Sequence, residues 1–228
     1  LCTGVSTLAK MLNPKIKVIG VEPAGASCMK ESLRQGKVVT LPQVNTIADG
    51  TAVKRPGEKL FPYIQENVDE IITIDDNELI VAFLDMVENH KMIVENSGLL
   101  TVAALKHIKA EKKKVVSILS GGNMDVITLS SIVQHGLIQR DRVFTVSVLL
   151  PDKPGELARV SSLLAEQHGN IIKLEHNQFI SINRNAAVEL RITMEAFGTE
   201  HKNQIVTALT DAGYRPKLVK VKGTYSEM

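Results

Sequence analysis

Ser120-Gly121-Gly122-Asn123 is the sharpest chemical signal in this 228-residue chain. It follows a short β-branched run, Val115-Val116-Ser117-Ile118-Leu119, and precedes a helical pattern that starts near Met124-Asp125. In an open α/β sheet, ligands lie beyond the carboxyl ends of the strands. Two glycines there let the backbone approach a ligand closely, and the next helix offers unpaired N–H groups. Ser120 adds a hydroxyl that both donates and accepts. A plain strand-to-helix turn satisfies the same pattern. A second candidate is Asp152-Lys153-Pro154-Gly155-Glu156-Leu157, a turn feeding a helix. Its glycine permits close approach, and the helix start favours a carboxylate; a turn with no ligand fits equally well.

Other chemistry is excluded. The six histidines, at 90, 107, 135, 168, 176 and 201, show no ligand spacing. Cys2 and Cys28 cannot form a disulfide framework and lack partners at zinc-ligand spacing, so no metal site is expected and the setting reads as a reducing cytosol. The formal charge is +2, aromatics are 4% and Trp is absent, which argues against nucleic-acid binding. Lys112-Lys113-Lys114 reads as a solvated helix end. No apolar run is long enough to span a membrane.

The elements that must position these residues come in two patterns. Up to about residue 140, strand-like runs alternate with helices. Ile16 to Val21 reads as a buried parallel strand, 27–35 as a helix stopped by Gly36, 40–57 as loop, and Glu58 to Asn67 as a helix. Glu70 to Ile74 is a second strand, and Asp75 with Glu78 forms a capping box for the helix behind it. Ser97 reads as the cap of a helix running to about Lys109, and Val115–Leu119 as a third strand. This order implies an open α/β sheet. Beyond residue 141 the order changes to strand, helix, two strands, helix, strand. The two middle strands, 171–180 and 186–195, are joined by Asn183-Arg184-Asn185. That is the ferredoxin-like βαββαβ unit. Two domains are therefore expected, 1–141 and 142–228.

Val116 to Asp125 resembles the serine-glycine-glycine-asparagine segment of the threonine and serine dehydratases, pyridoxal-phosphate enzymes of the tryptophan-synthase-β fold type. Other segments agree in order. Leu1–Gly4 is similar to the tail of the family's phosphate loop, Gly20-Val21-Glu22-Pro23 to the strand after it, Thr46–Gly50 to its alanine-aspartate-glycine loop, and Val94–Gly98 to its glutamate-containing helix start. Residues 142–228 resemble an ACT domain. The combination resembles the short, ACT-bearing threonine ammonia-lyases: a partial tryptophan-synthase-β-like open sheet followed by a ferredoxin-like ACT domain.

The resemblance implies that Ser120 faces the pyridine nitrogen of pyridoxal phosphate and that Gly121, Gly50 and Glu95 line the ring. It implies deamination of L-threonine to 2-oxobutanoate and ammonia, with serine as secondary substrate. It further implies a small amino-acid effector bound by Asp152, Gly155, Glu156, Leu157 and Asn170 where two ACT copies meet, hence a homo-oligomer in the cytoplasm. The family's Schiff-base lysine segment and phosphate-cradling glycines have no counterpart here. The chain is therefore expected to be a C-terminal piece, inactive alone and with no catalytic residue of its own. A non-catalytic amino-acid-binding protein and a serine racemase or dehydratase relative are the alternatives. Of a racemase-type cation site, Glu22 and Ala26 fit, but Cys28 stands where an acid is needed.

Overall fold

The computed structural model describes residues 1–177 and 188–219. Its contacts divide the chain into two units, Leu1–Ile132 and Val133–Met228, with the division inside one helix. In the first unit the order is α1 (Cys2–Leu12), β1 (Ile19–Pro23), α2 (Cys28–Gln35), α3 (Phe61–Asn67), β2 (Glu70–Ile74), α4 (Asp76–Asp85) and α5 (Asn96–Ala103). The helix α6 (Val126–Gln139) crosses the division. β1 and β2 pair in parallel, Ile19 opposite Glu70 and Pro23 opposite Ile74.

Local signals explain these boundaries. Gly36 ends α2 at φ 69°, a conformation that costs glycine nothing. Asp75 accepts from the Asn77 N–H at 2.8 Å, and Glu78 accepts from the Asp75 N–H at 3.0 Å, completing the capping box. α4 then buries Leu79, Ile80, Phe83 and Leu84 and packs against α5, which buries Leu99 and Leu100. Asp125 accepts from the Ile127 and Thr128 N–H groups and so caps α6.

Three expectations need correction. Glu95, not Ser97, is the residue before the first turn of α5; Ser97 lies inside that turn, and the helix tightens into a 3₁₀ turn at Ala104–His107. Cys2–Gly4 is already helical, so the segment likened to a loop tail is the first turn of α1. Val115–Leu119 forms no strand. A strand exists only by pairing, and the described sheet here is two-stranded, β1-β2. The segment is instead fastened to α5: Thr101 Oγ1 donates to the Ile118 carbonyl at 3.0 Å, and Ser117 Oγ to the Thr101 carbonyl at 3.3 Å.

The second unit contains β3 (Val143–Leu150), α7 (Glu156–Glu166), β4 (Asn170–Asn177), β5 (Val188–Glu195), α8 (Thr199–Asp211) and β6 (Lys217–Val219). The sheet is antiparallel with order β4-β5-β3-β6, the ferredoxin-like arrangement. Alternation makes one face of β3 and β5 apolar: Val146, Val148, Leu190, Ile192 and Met194 pack on Val160 and Leu164 of α7 and Ile205 and Leu209 of α8. The expected loop Asn183-Arg184-Asn185 and the end of the last expected strand lie outside the described residues.

Candidate functional site

The first turn of α5 is the anchor of the site. Its buried Asn96 donates through Nδ2 to the Ile47 carbonyl at 2.9 Å, which ties the 46–51 loop to the helix. Asp76, in the first turn of α4, holds the same loop from the other side, accepting from Thr46 Oγ1 at 2.6 Å and from the Ile47 N–H at 3.0 Å. Gly50 is thereby pressed against α5. A Cβ on Gly50 would stand 2.8 Å from Ser97 Oγ and 3.5 Å from Glu95 Oε1.

Gly121 reaches the same corner from a third segment. The Glu95 N–H donates to the Gly121 carbonyl at 3.4 Å. Gly121 has φ 78°, and a Cβ there would lie 2.0 Å from the Glu95 carboxyl carbon. The main chain of Ser120 lies hard on α5, because a Cβ on Gly98 would meet the Ser120 carbonyl oxygen at 1.8 Å. Thus Gly50, Glu95, Ser120 and Gly121, far apart in the chain, come together. Gly50 and Gly121 are exposed, while Glu95 and Ser120 are half-buried, so the corner opens to solvent. Among the described residues no hydrogen bond engages the Ser120 hydroxyl.

Sequence reasoning missed Asp76, Asn96 and Ser97. The neighbours of Glu95 were open to suspicion by adjacency; Asp76 carried no signal, because its partners lie in a distant loop. The Asn96 Oδ1 and Ser97 Oγ atoms are buried without a partner. Such groups are costly to bury without a partner.

Residues 1–121 match the family of pyridoxal-phosphate dependent enzymes. The chain belongs to that family. Residues 144–213 match the ACT domain. The chain is 36% identical to the L-threonine ammonia-lyase of Geobacter sulfurreducens and 32% identical to that of Thermotoga maritima, over 96% of this chain and 55% of each relative. It therefore spans about half the length of the curated relatives it matches. Among solved structures, it is similar to the processed threonine deaminase isoform 2 of Solanum lycopersicum, with TM-score 0.54 and 36% identity, over 59% of this chain and 40% of that one. It is also similar to maize serine racemase, with TM-score 0.52 and 35% identity, over 60% and 44%.

A side chain at position 50 would meet Ser97, and one at position 121 would meet the Glu95 carboxylate. Three lysines of the first unit are engaged with other groups: Lys10 pairs with Asp69 at 2.7 Å, Lys30 reaches Thr73 Oγ1 at 3.3 Å, and Lys91 donates to the Glu88 carbonyl.

Glu22 serves α2. Its carboxylate accepts from the Met29 and Lys30 N–H groups, each at 2.9 Å, with Cys28 Sγ 4.0 Å away. Burial pushes the Glu22 carboxyl up despite the N–H groups of Lys30 and Met29; burial, then Glu22, pushes the Cys28 thiol up. Among the described residues no group of three acids, histidines or cysteines could hold a metal ion.

In the ACT domain, Asp152, Gly155, Glu156 and Leu157 lie together at the start of α7. Gly155 has φ 93°, with open space where a Cβ would be. Glu156 accepts from Tyr214 Oη at 3.3 Å. Asn170 lies elsewhere. It and Val143 both oppose Glu195, at the start of β3, whereas the Asp152 turn follows Leu150 at its end. Seven residues of strand, about 23 Å, separate the two. Asn170 Nδ2 donates to Glu195 Oε2 at 2.9 Å.

Proposed function

We propose that this chain is the C-terminal part of a pyridoxal-phosphate-dependent threonine ammonia-lyase: residues 1–141 belong to the catalytic domain, and 142–228 are its regulatory ACT domain. The convergence of Gly50, Glu95, Ser120 and Gly121 carries this reading. Pyridoxal phosphate supplies the electron-withdrawing ring that lets the Cα–H bond of an amino acid break. Ser120 would present its hydroxyl to the ring nitrogen. Being neutral, it does not hold a proton there as a carboxylate would, which suits loss of water over transamination. Gly50 and Gly121, with no side chain of their own, would leave the ring edge room, and Glu95 would line it. The lysine that links the cofactor comes from polypeptide outside these 228 residues. The substrate is L-threonine, with serine secondary, and the setting is the cytoplasm.

Reconstitution tests this. The purified chain with pyridoxal phosphate and L-threonine is expected to form no 2-oxobutanoate. Refolded with an N-terminal part of the Geobacter sulfurreducens relative, of which this chain covers 55%, it is expected to release 2-oxobutanoate and ammonia together. Activity of the chain alone sinks the proposal. So does an inert mixture when the same N-terminal part, refolded with its own C-terminal part, is active.

For the ACT domain we propose a small aliphatic amino acid bound where two copies pair, the Asp152–Leu157 turn of one against the Asn170 end of the other. The distance between these ends within one chain supports a site shared by two copies. Calorimetry on the full chain with isoleucine, valine and threonine is expected to give heat with at least one. Gly155→Asp is expected to abolish it, because the added carboxylate occupies the open space and repels the ligand's own. Heat that survives Gly155→Asp unchanged excludes this turn.

A further inference from the structure

The exposed tip of the 46–51 loop brings two mutually reactive groups of the main and side chain together. Asp49-Gly50 is the one Asp-Gly pair in the chain, and Asn-Gly is absent. Both residues are exposed, next to the buried Ala48. The turn around them is well bonded. The Thr51 N–H and Oγ1 both donate to the Ala48 carbonyl, at 3.0 and 2.9 Å, and the Ala52 N–H donates to the Asp49 carbonyl at 3.0 Å. The Gly50 N–H is the exception. It donates to Asp49 Oδ1 at 2.8 Å, and among the described residues it has no main-chain acceptor. The Asp49 carboxyl group is therefore folded back onto the next amide of its own chain. The bonds from Thr46 and Ile47 to Asp76 and from Asn96 to Ile47 hold the loop in this shape.

We propose that Asp49 is a site of spontaneous backbone isomerisation, through which the corner built around Gly50 ages. In the first step the Gly50 nitrogen attacks Asp49 Cγ. The N–Cγ bond forms, and one carboxyl oxygen leaves as water with the amide proton and a proton from solvent. In the second step water opens the five-membered imide at one of its two carbonyls. That C–N bond breaks, the nitrogen takes a proton and the carbonyl takes the hydroxyl. Opening at Cγ restores aspartate. Opening at the main-chain carbonyl leaves Gly50 joined to Cγ, which is isoaspartate. The mass is unchanged, and only water takes part. Two features favour the first step. The nitrogen and the carboxyl group already touch, which removes most of the cost of bringing them together. Glycine also has no Cβ to crowd the attacking nitrogen. Asn96-Ser97 is open to similar chemistry, but Asn96 is buried and its Nδ2 donates to the Ile47 carbonyl, so it is held back. The isomer puts an extra carbon into the main chain at position 49 and turns the carbonyl that receives the Ala52 N–H into a carboxylate. The corner has no room for that atom, since even a Cβ on Gly50 would stand 2.8 Å from Ser97 Oγ. The loop tip must then move off α5.

The test incubates the folded chain at neutral pH for several weeks. Isoaspartate is measured by enzymatic methylation of isoaspartyl carboxylates and located by peptide fragmentation. It is expected to accumulate between residues 49 and 50, at least as fast as in the same chain unfolded in urea. Asp49→Glu keeps the charge at an exposed position, but its ring would have six members, so the signal is expected to fall about tenfold or more. Amide exchange is expected to be faster across 46–51 in the aged chain than in the fresh one, and unchanged across Val143–Leu150. Formation in the folded chain more than about tenfold slower than in urea overturns the proposal, because unfolding and not the seated turn would then expose the pair. Isoaspartate at the same level in Asp49→Glu overturns it as well, as does equal loosening of 46–51 in the aged variant. None of these readouts depends on cofactor or turnover.

Discussion

Gly98→Ala is expected to destabilise the first unit by about 3 kcal/mol or more, whereas Gly122→Ala changes stability by less than about 0.5 kcal/mol. The two substitutions are chemically identical and lie in the same site. At Gly98 the new methyl group would stand 1.8 Å from the Ser120 carbonyl oxygen and 2.9 Å from Val94 Cγ1. Both neighbours are firm: one is backbone, and Val94 is buried. Residues 118–121 must leave α5, which breaks the bonds from Thr101 and Ser117 and separates Gly121 from Glu95. At Gly122 nothing lies within 4 Å of the added group, and φ is not positive. Denaturant midpoints of the two variants check this. A loss below about 1 kcal/mol for Gly98→Ala would mean that residues 118–121 are not seated on α5.

Ser120→Ala in the reconstituted enzyme is expected to lower the rate of threonine deamination about tenfold or more. A tenfold loss is about 1.4 kcal/mol, the size of one hydrogen bond to the reacting system. Ser120→Asp is expected to act differently. A carboxylate in place of the hydroxyl would hold a proton on the ring nitrogen, and the share of turnovers ending in transamination would rise. The informative measurement is the ratio of amine-transfer product to 2-oxobutanoate alongside the rate. A merely structural serine would lose rate in both variants with that ratio unmoved. Equal rates and equal ratios for serine, alanine and aspartate would make Ser120 a turn residue only.

The sequence by itself determined whatever depends on neighbours a few residues away. Asp75 and Glu78 are three apart, so their capping box was legible. Gly36 marks a helix end by its own conformational freedom, at φ 69°. Alternation along 144–148 and 188–194 fixes which face of the second sheet is apolar, and with the helix between them this yields the ferredoxin-like order. The Ser120–Asn123 motif, read by resemblance, pointed to the family that residues 1–121 match.

Tertiary structure decided what depends on distant partners. Gly50, Glu95 and Gly121 become one corner because Asn96 and Asp76 fasten the 46–51 loop between two helix starts, and neither residue carries a local mark of that task. Ser97 looks like a cap, yet lies inside the first turn with its hydroxyl buried against Gly50. Asn170 and the Asp152 turn were grouped as one site, and strand register sets them at opposite ends of the sheet in a single chain. Val115–Leu119 has the composition of a strand and is not one. Composition measures how well side chains suit a pleated surface, but a ladder needs a second backbone at about 4.8 Å, and that is a property of the assembled fold.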